Sequence, residues 1–140
     1  MTVPSSVHML GVIDKVIEGL SECLALSREE HNALAISVIE AGTNAMQHGN
    51  NYDESKPVDL RFRIDPGEIA VVVKDTGSGF DLQKVERELA DADLLRCTGR
   101  GILIMRELMD KVDFTFGKRG TTVTLAKTVS PRGGDGDGAE

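Results

Sequence analysis

The chain predicts an α+β fold, a two-layer α/β sandwich with helices on one face of a mixed, mainly antiparallel sheet, because its helical and strand patterns fall in separate blocks. Two amphipathic helical stretches come first. An alternating hairpin follows, and a further helix and a second hairpin complete the pattern. With 140 residues and 40% apolar content, there is material for one compact core, so a single domain over residues 1–129 is expected.

Val7, Leu10, Ile13, Ile17, Leu20 and Leu24 recur at intervals of three and four, which traces one face of a first helix behind a Ser5 or Ser6 cap. Only Met1 to Pro4 precede it, so no opening strand is expected. Ser27-Arg-Glu-Glu30 has the spacing of a capping box and starts a second helix running to about His48, with Leu34, Val38, Ala41 and Ala45 as its buried stripe. Glu40, Asn44 and His48 are spaced by four and share one polar edge of that helix. Gly49-Asn-Asn-Tyr-Asp53 should stop it through left-handed backbone.

Val58, Leu60, Phe62 and Ile64 alternate with charged residues as a half-buried strand, Asp65-Pro-Gly67 reverses the chain, and the β-branched run Ile69–Val73 returns antiparallel to deliver Asp75 at its end. Residues 81–98 read as a connection with a short amphipathic helix. A helix from Gly101 carries Met105 and Met109 toward the core. Val112–Phe116 and Thr121–Thr128 form the last hairpin around Gly117-Lys-Arg-Gly120. Residues 130–140 have nothing to bury and are expected to be a disordered tail.

A formal net charge of −7 argues against a sequence-independent grip on nucleic acid and favours protein partners. Cys23 and Cys97 sit in unrelated contexts, giving neither a disulfide framework nor metal-ligand spacing. No stretch approaches the roughly 20 apolar residues of a membrane span. The reading is a soluble cytoplasmic protein with no membrane contact.

Three segments carry chemistry. Glu40 and Asn44 lie one turn apart: a lone asparagine carbonyl suffices as protein ligand for Mg2+ beside phosphates, and the glutamate can orient an attacking hydroxyl or take its proton. Asp75-Thr-Gly77-Ser-Gly79 sets a carboxylate that can accept from an adenine amine beside glycines that allow close backbone approach. Thr98-Gly99-Arg100-Gly101 precedes a helix whose free amides and positive dipole end can face phosphate, with Arg96 nearby. Taken singly, these segments also fit a polar helix edge, a surface turn and solvated loop charge. His48 either contacts phosphate or caps the helix end, with capping favoured. No Walker-type string occurs.

In this order, with a strand hairpin between the first two, the segments resemble the GHKL ATPase family (Bergerat fold) of histidine-kinase catalytic domains, gyrase B, MutL and heat-shock chaperones. The likeness runs from about Ser27 to Thr128. Asn-Ala-x-x-His-Gly at 44–49 and Gly101-Ile-Leu-Ile-Met-Arg-Glu-Leu-Met-Asp110 are most similar to anti-sigma-factor serine/threonine kinases. The resemblance implies a homodimer that binds ATP and Mg2+, holds a sigma factor and phosphorylates a serine or threonine on a small STAS-type antagonist. It implies Glu40 as catalytic base, Asn44 as magnesium ligand and Asp75 as adenine reader. His48, Gly77, Gly79, Thr98, Gly99, Arg100, Gly101 and Thr122 complete the nucleotide contacts, with residues 81–98 as lid. Some members place an arginine where this chain has Cys97. A regulatory module that binds ATP without turnover and a switch-type kinase of a stress-signalling complex are the alternatives; a two-component histidine kinase ranks below them, since the chain has no long dimerisation helix pair.

Overall fold

The structure is a computed structural model that describes residues 1–76, 100–117 and 119–130. Its sheet has five strands in the order β1-β2-β3-β5-β4, from β1 (Thr2–Val3), β2 (Val58–Asp65), β3 (Glu68–Lys74), β4 (Lys111–Gly117) and β5 (Gly120–Thr128). All four described pairings are antiparallel. Helices α1 (Met9–Cys23), α2 (Arg28–Asn44) and α3 (Arg100–Leu108) form the second layer.

Alternation decides which face of the sheet the helices cover. Leu60 on β2, Val71 and Val73 on β3, and Val123 and Leu125 on β5 join Leu34 and Val38 of α2 in one core, while Arg61, Arg63 and Lys74 point to the exposed side. Ile13, Ile17, Leu34 and Val38 are fully buried, and each such side chain stabilises the fold by roughly 1.5–3 kcal/mol. Met105 and Met109 are buried as expected.

The start of the chain departs from expectation. Thr2 and Val3 pair with Asp59 and Val58, so an opening strand exists after all. Two residues are too few for periodicity to show. Neither Ser5 nor Ser6 caps α1, which begins at Met9 with no side-chain cap bond at His8; a backbone turn, Met9 N–H to Ser6 O at 2.9 Å, starts it instead. Val7 therefore lies outside the helix and is exposed.

At α2 the capping box is complete: Glu30 N–H donates to Ser27 Oγ at 3.1 Å and Ser27 N–H to Glu30 Oε1 at 2.9 Å. The helix stays α-helical only to Asn44, then widens into a π turn over Ala45–Gly49. The left-handed residues after it are Asn51 and Tyr52, both at φ 56°, rather than Gly49. The expected helix in residues 81–98 and the tail beyond Ser130 lie outside the described residues. Ser130 itself is held, its N–H donating to Glu30 Oε2 at 2.7 Å.

Candidate functional site

Helix α2, the end of β3 and the start of α3 converge at one end of the space between the layers. On α2, Glu40 and Asn44 are both half-buried and one turn apart. Gly101, the second residue of α3, lies directly against them. A Cβ built on Gly101 would stand 2.5 Å from Glu40 Oε2 and 3.8 Å from Asn44 Nδ2, so with glycine here the α3 backbone approaches the pair without displacing the Glu40 carboxylate. The Asn44 Nδ2 position is buried and has no hydrogen-bond partner among the described residues. A buried polar atom left in that state is costly unless something else satisfies it.

Asn44 also faces a small cavity that it lines with Ala45, Val73, Asp75, Phe114 and Thr121. Its walls are apolar and a carboxylate sits among them. Asp75, only 3% exposed, follows β3 and is anchored to β5: its N–H donates to Thr121 O at 3.0 Å, and its Oδ1 accepts from Thr121 N–H at 3.1 Å. Gly49 and Gly120 close on it from two sides. A Cβ on Gly49 would overlap the Asp75 side chain, and one on Gly120 would overlap the Asp75 backbone carbonyl.

Of the residues singled out in the sequence, Glu40, Asn44, Asp75 and Gly101 are brought together. His48 lies half-buried in the π turn one turn beyond Asn44. Thr122 is a correction. On β5 the alternation turns buried Thr121 toward Asp75, while half-buried Thr122 pairs with Lys74 and Thr115 and belongs to the opposite face. Gly77, Gly79, Thr98 and Gly99 fall outside the described residues, and of Arg100 only the backbone, as first residue of α3, is described.

Sequence reasoning missed the contact roles of Gly49 and Gly120, and it missed Asn50. Asn50 is fully buried, and its Oδ1 accepts from Thr76 N–H at 3.0 Å, next to the Asp75 carboxyl. An asparagine directly after a glycine looks like a helix stop, which hides a buried role.

The histidine kinase-like ATPase domain, compared as a family model, matches residues 3–127. The chain belongs to this family. Among curated relatives, the serine-protein kinase RsbW of Bacillus subtilis is 30% identical over 136 residues, covering 93% of this chain and 84% of its own. RsbW of Bacillus licheniformis is 31% identical over 137 residues, with coverage of 93% and 84%. This histidine kinase-like ATPase domain is thus a member of the RsbW group. Two solved structures share its fold. The RsbU and RsbW domains of a Mycobacterium tuberculosis protein give a TM-score of 0.65 at 15% identity over 92% of this chain and 31% of that one. The histidine kinase domain of an Erythrobacter litoralis blue-light activated kinase gives 0.57 at 23% identity, over 90% and 61%. At such identities they speak for the fold alone.

The family is one of ATPase domains. Asp75 and Asn44 line one small, mainly apolar cavity. Asn44 presents a buried amide whose oxygen and nitrogen are exchangeable in assignment, and its carbonyl suits a hard cation. Gly101 brings the first amides of α3 to the same place. Among the described residues no helix is long and apolar enough to cross a membrane, and no cluster of three or more His, Cys, Asp or Glu side chains could hold a metal alone.

Proposed function

We propose that this chain is an ATP-dependent protein serine/threonine kinase of the anti-sigma-factor type. On this reading it acts in the cytoplasm as a homodimer, holds a sigma factor and phosphorylates a serine or threonine on a small STAS-type antagonist. The observation that carries the proposal is the meeting of three distant segments: Gly101 lies against both Glu40 and Asn44, and Asn44 shares a cavity with Asp75. The RsbW relatives, named serine-protein kinases, supply the choice of acceptor.

ATP with Mg2+, when bound, supplies the transferable phosphoryl group and neutralises part of its charge. Asp75 accepts a hydrogen bond from the base and orients it. Asn44 gives its carbonyl oxygen to the cation. Glu40 takes the proton of the incoming hydroxyl, a role suited to a carboxylate that stays half-exposed beside the cation ligand rather than being sealed in the core. The first amides of α3, beginning at Gly101, steady phosphate oxygens through the helix dipole. Such a site works by placement and charge more than by covalent chemistry.

Transfer of label from γ-labelled ATP to a serine-bearing antagonist protein tests the proposal. Labelled serine or threonine on the antagonist is the expected result. Tight Mg-ATP binding with an unlabelled partner would instead identify a regulatory binder.

A further inference from the structure

Asn50 is buried beside the Asp75 loop, and its side-chain amide makes four hydrogen bonds, to Ser5, Lys56, Pro57 and Thr76. We infer that Asn50 is a positioning residue for base recognition, tying the Asp75 loop to the N-terminal segment and to the α2–β2 connection. The inference rests on Asp75 being the reader of the adenine amine.

The π turn is what puts Asn50 there. Its backbone N–H donates to Ala45 O, five residues back, at 2.9 Å. This wide turn carries the side chain inward, where it is 0% exposed. Its Nδ2 faces three acceptors: Ser5 Oγ at 3.0 Å, Lys56 O at 3.0 Å and Pro57 O at 3.1 Å. Its Oδ1 faces one donor, Thr76 N–H at 3.0 Å. That distribution fixes the amide orientation, since a flipped amide would set nitrogen against N–H and oxygen against carbonyls. Ser5 Oγ completes the knot by donating to Lys56 O at 2.6 Å.

Asp75 is thereby held on both sides. From β5, the Thr121 amide fixes one carboxylate oxygen; from the π turn, Asn50 fixes the peptide that follows Asp75, and Gly49, its chain neighbour, packs on the carboxyl itself. Losing the Thr76 bond removes the tie between Asn50 and the peptide that follows Asp75, so the direction of the Asp75 carboxyl is set less closely. A carboxylate that reads a base by one directional hydrogen bond loses discrimination when it pivots, even where general affinity for triphosphate survives.

The test compares equilibrium binding of Mg-ATP and of Mg-inosine triphosphate, which has a carbonyl in place of the adenine amine, with thermal unfolding measured alongside. The wild-type chain should prefer ATP, and Asn50→Ala should reduce that preference about three- to ten-fold, the worth of one hydrogen bond. Ser5→Ala removes one acceptor of the Asn50 amide and leaves the Thr76 bond. It should fold even where Asn50→Ala does not, and lower the preference by roughly two-fold. An unchanged ATP-to-inosine ratio in Asn50→Ala, or in Ser5→Ala should the former not fold, overturns the inference even when the melting temperature drops. Wild-type protein that binds both nucleotides alike overturns it through Asp75. Wild-type protein that binds neither removes the nucleotide reading itself, so the two failures are distinguishable.

Discussion

The Asp75 carboxyl occupies the space in which a side chain on Gly49 would stand, so the π turn after α2 and the loop after β3 are in direct contact. The overlap involves the Asp75 Cβ, 2.8 Å from the added atom, as well as its carboxyl. Asp75 is buried and bonded to β5, so it cannot swing aside. Gly49→Ala should therefore displace Asp75 bodily, lowering stability by about 1–3 kcal/mol as other overpacked sites do. It should also weaken Mg-ATP binding at least about ten-fold, since a hydrogen bond to a charged group is worth 1.5–3 kcal/mol. Calorimetric titration and thermal unfolding of the variant check both parts. Wild-type ATP affinity in Gly49→Ala would mean that Asp75 does not read the base.

Gly101 makes the same kind of contact with a different consequence. Its added Cβ would meet Glu40 at the carboxylate tip, the far end of a flexible side chain, with Asn44 at ordinary van der Waals distance. Rotation of Glu40 to another rotamer relieves the clash for about 0.5–1.5 kcal/mol. Gly101→Ala should fold with a melting temperature within about 4 °C of wild type. Phosphoryl transfer should fall about ten-fold or more, because the proton acceptor is turned away. A variant that keeps full transfer would show that the Glu40 orientation seen here is not the working one.

Glu40 and Asn44 should separate chemistry from binding. Glu40→Ala removes a proton acceptor and no cation ligand, so nucleotide affinity should hold while transfer to a serine-bearing partner falls by about 100-fold or more. Asn44→Ala removes the carbonyl offered to the cation, and the magnesium-dependent part of ATP binding should disappear. Titrations with and without Mg2+, together with single-turnover transfer assays, distinguish the two. Equal transfer by Glu40→Ala and wild type would remove Glu40 from the role of base.

The parts of this architecture that could be read in advance are those fixed locally. The Ser27–Glu30 box, the buried stripe of Leu34, Val38 and Ala41, and both hairpins depend on spacing within a few residues. The opening strand could not be read, since Thr2 and Val3 acquire their conformation only by pairing with residues more than fifty positions away. Thr121 and Thr122 differ by one position, and in a strand one position decides the face; which threonine meets Asp75 is set by the register of β5 against β3. Asn50 follows from the π turn, a feature of packing with no spacing signature. Glu40, Asn44, Asp75 and Gly101, which lie together, could be singled out by residue type and motif spacing; the residues packed around them are ordinary asparagines, serines and glycines.

Glu30 links the start of α2 to the end of β5 and makes that link depend on pH. Partial burial disfavours its ionised form, but the hydrogen bonds from Ser27 and Ser130 outweigh this and hold its carboxyl below the ordinary value of 4.5. A carboxylate with a lowered folded-state pKa binds protons more weakly folded than unfolded, so its stabilisation is fully present above that ordinary value. It is lost as pH falls through the lower folded value. Glu30→Gln keeps the shape and the capping geometry but cannot ionise. Its stability deficit against wild type, measured by urea denaturation, should therefore be largest near neutral pH and shrink steadily below pH 4.5. A deficit of constant size across that range would show that Ser27 and Ser130 do not favour the charged form of Glu30.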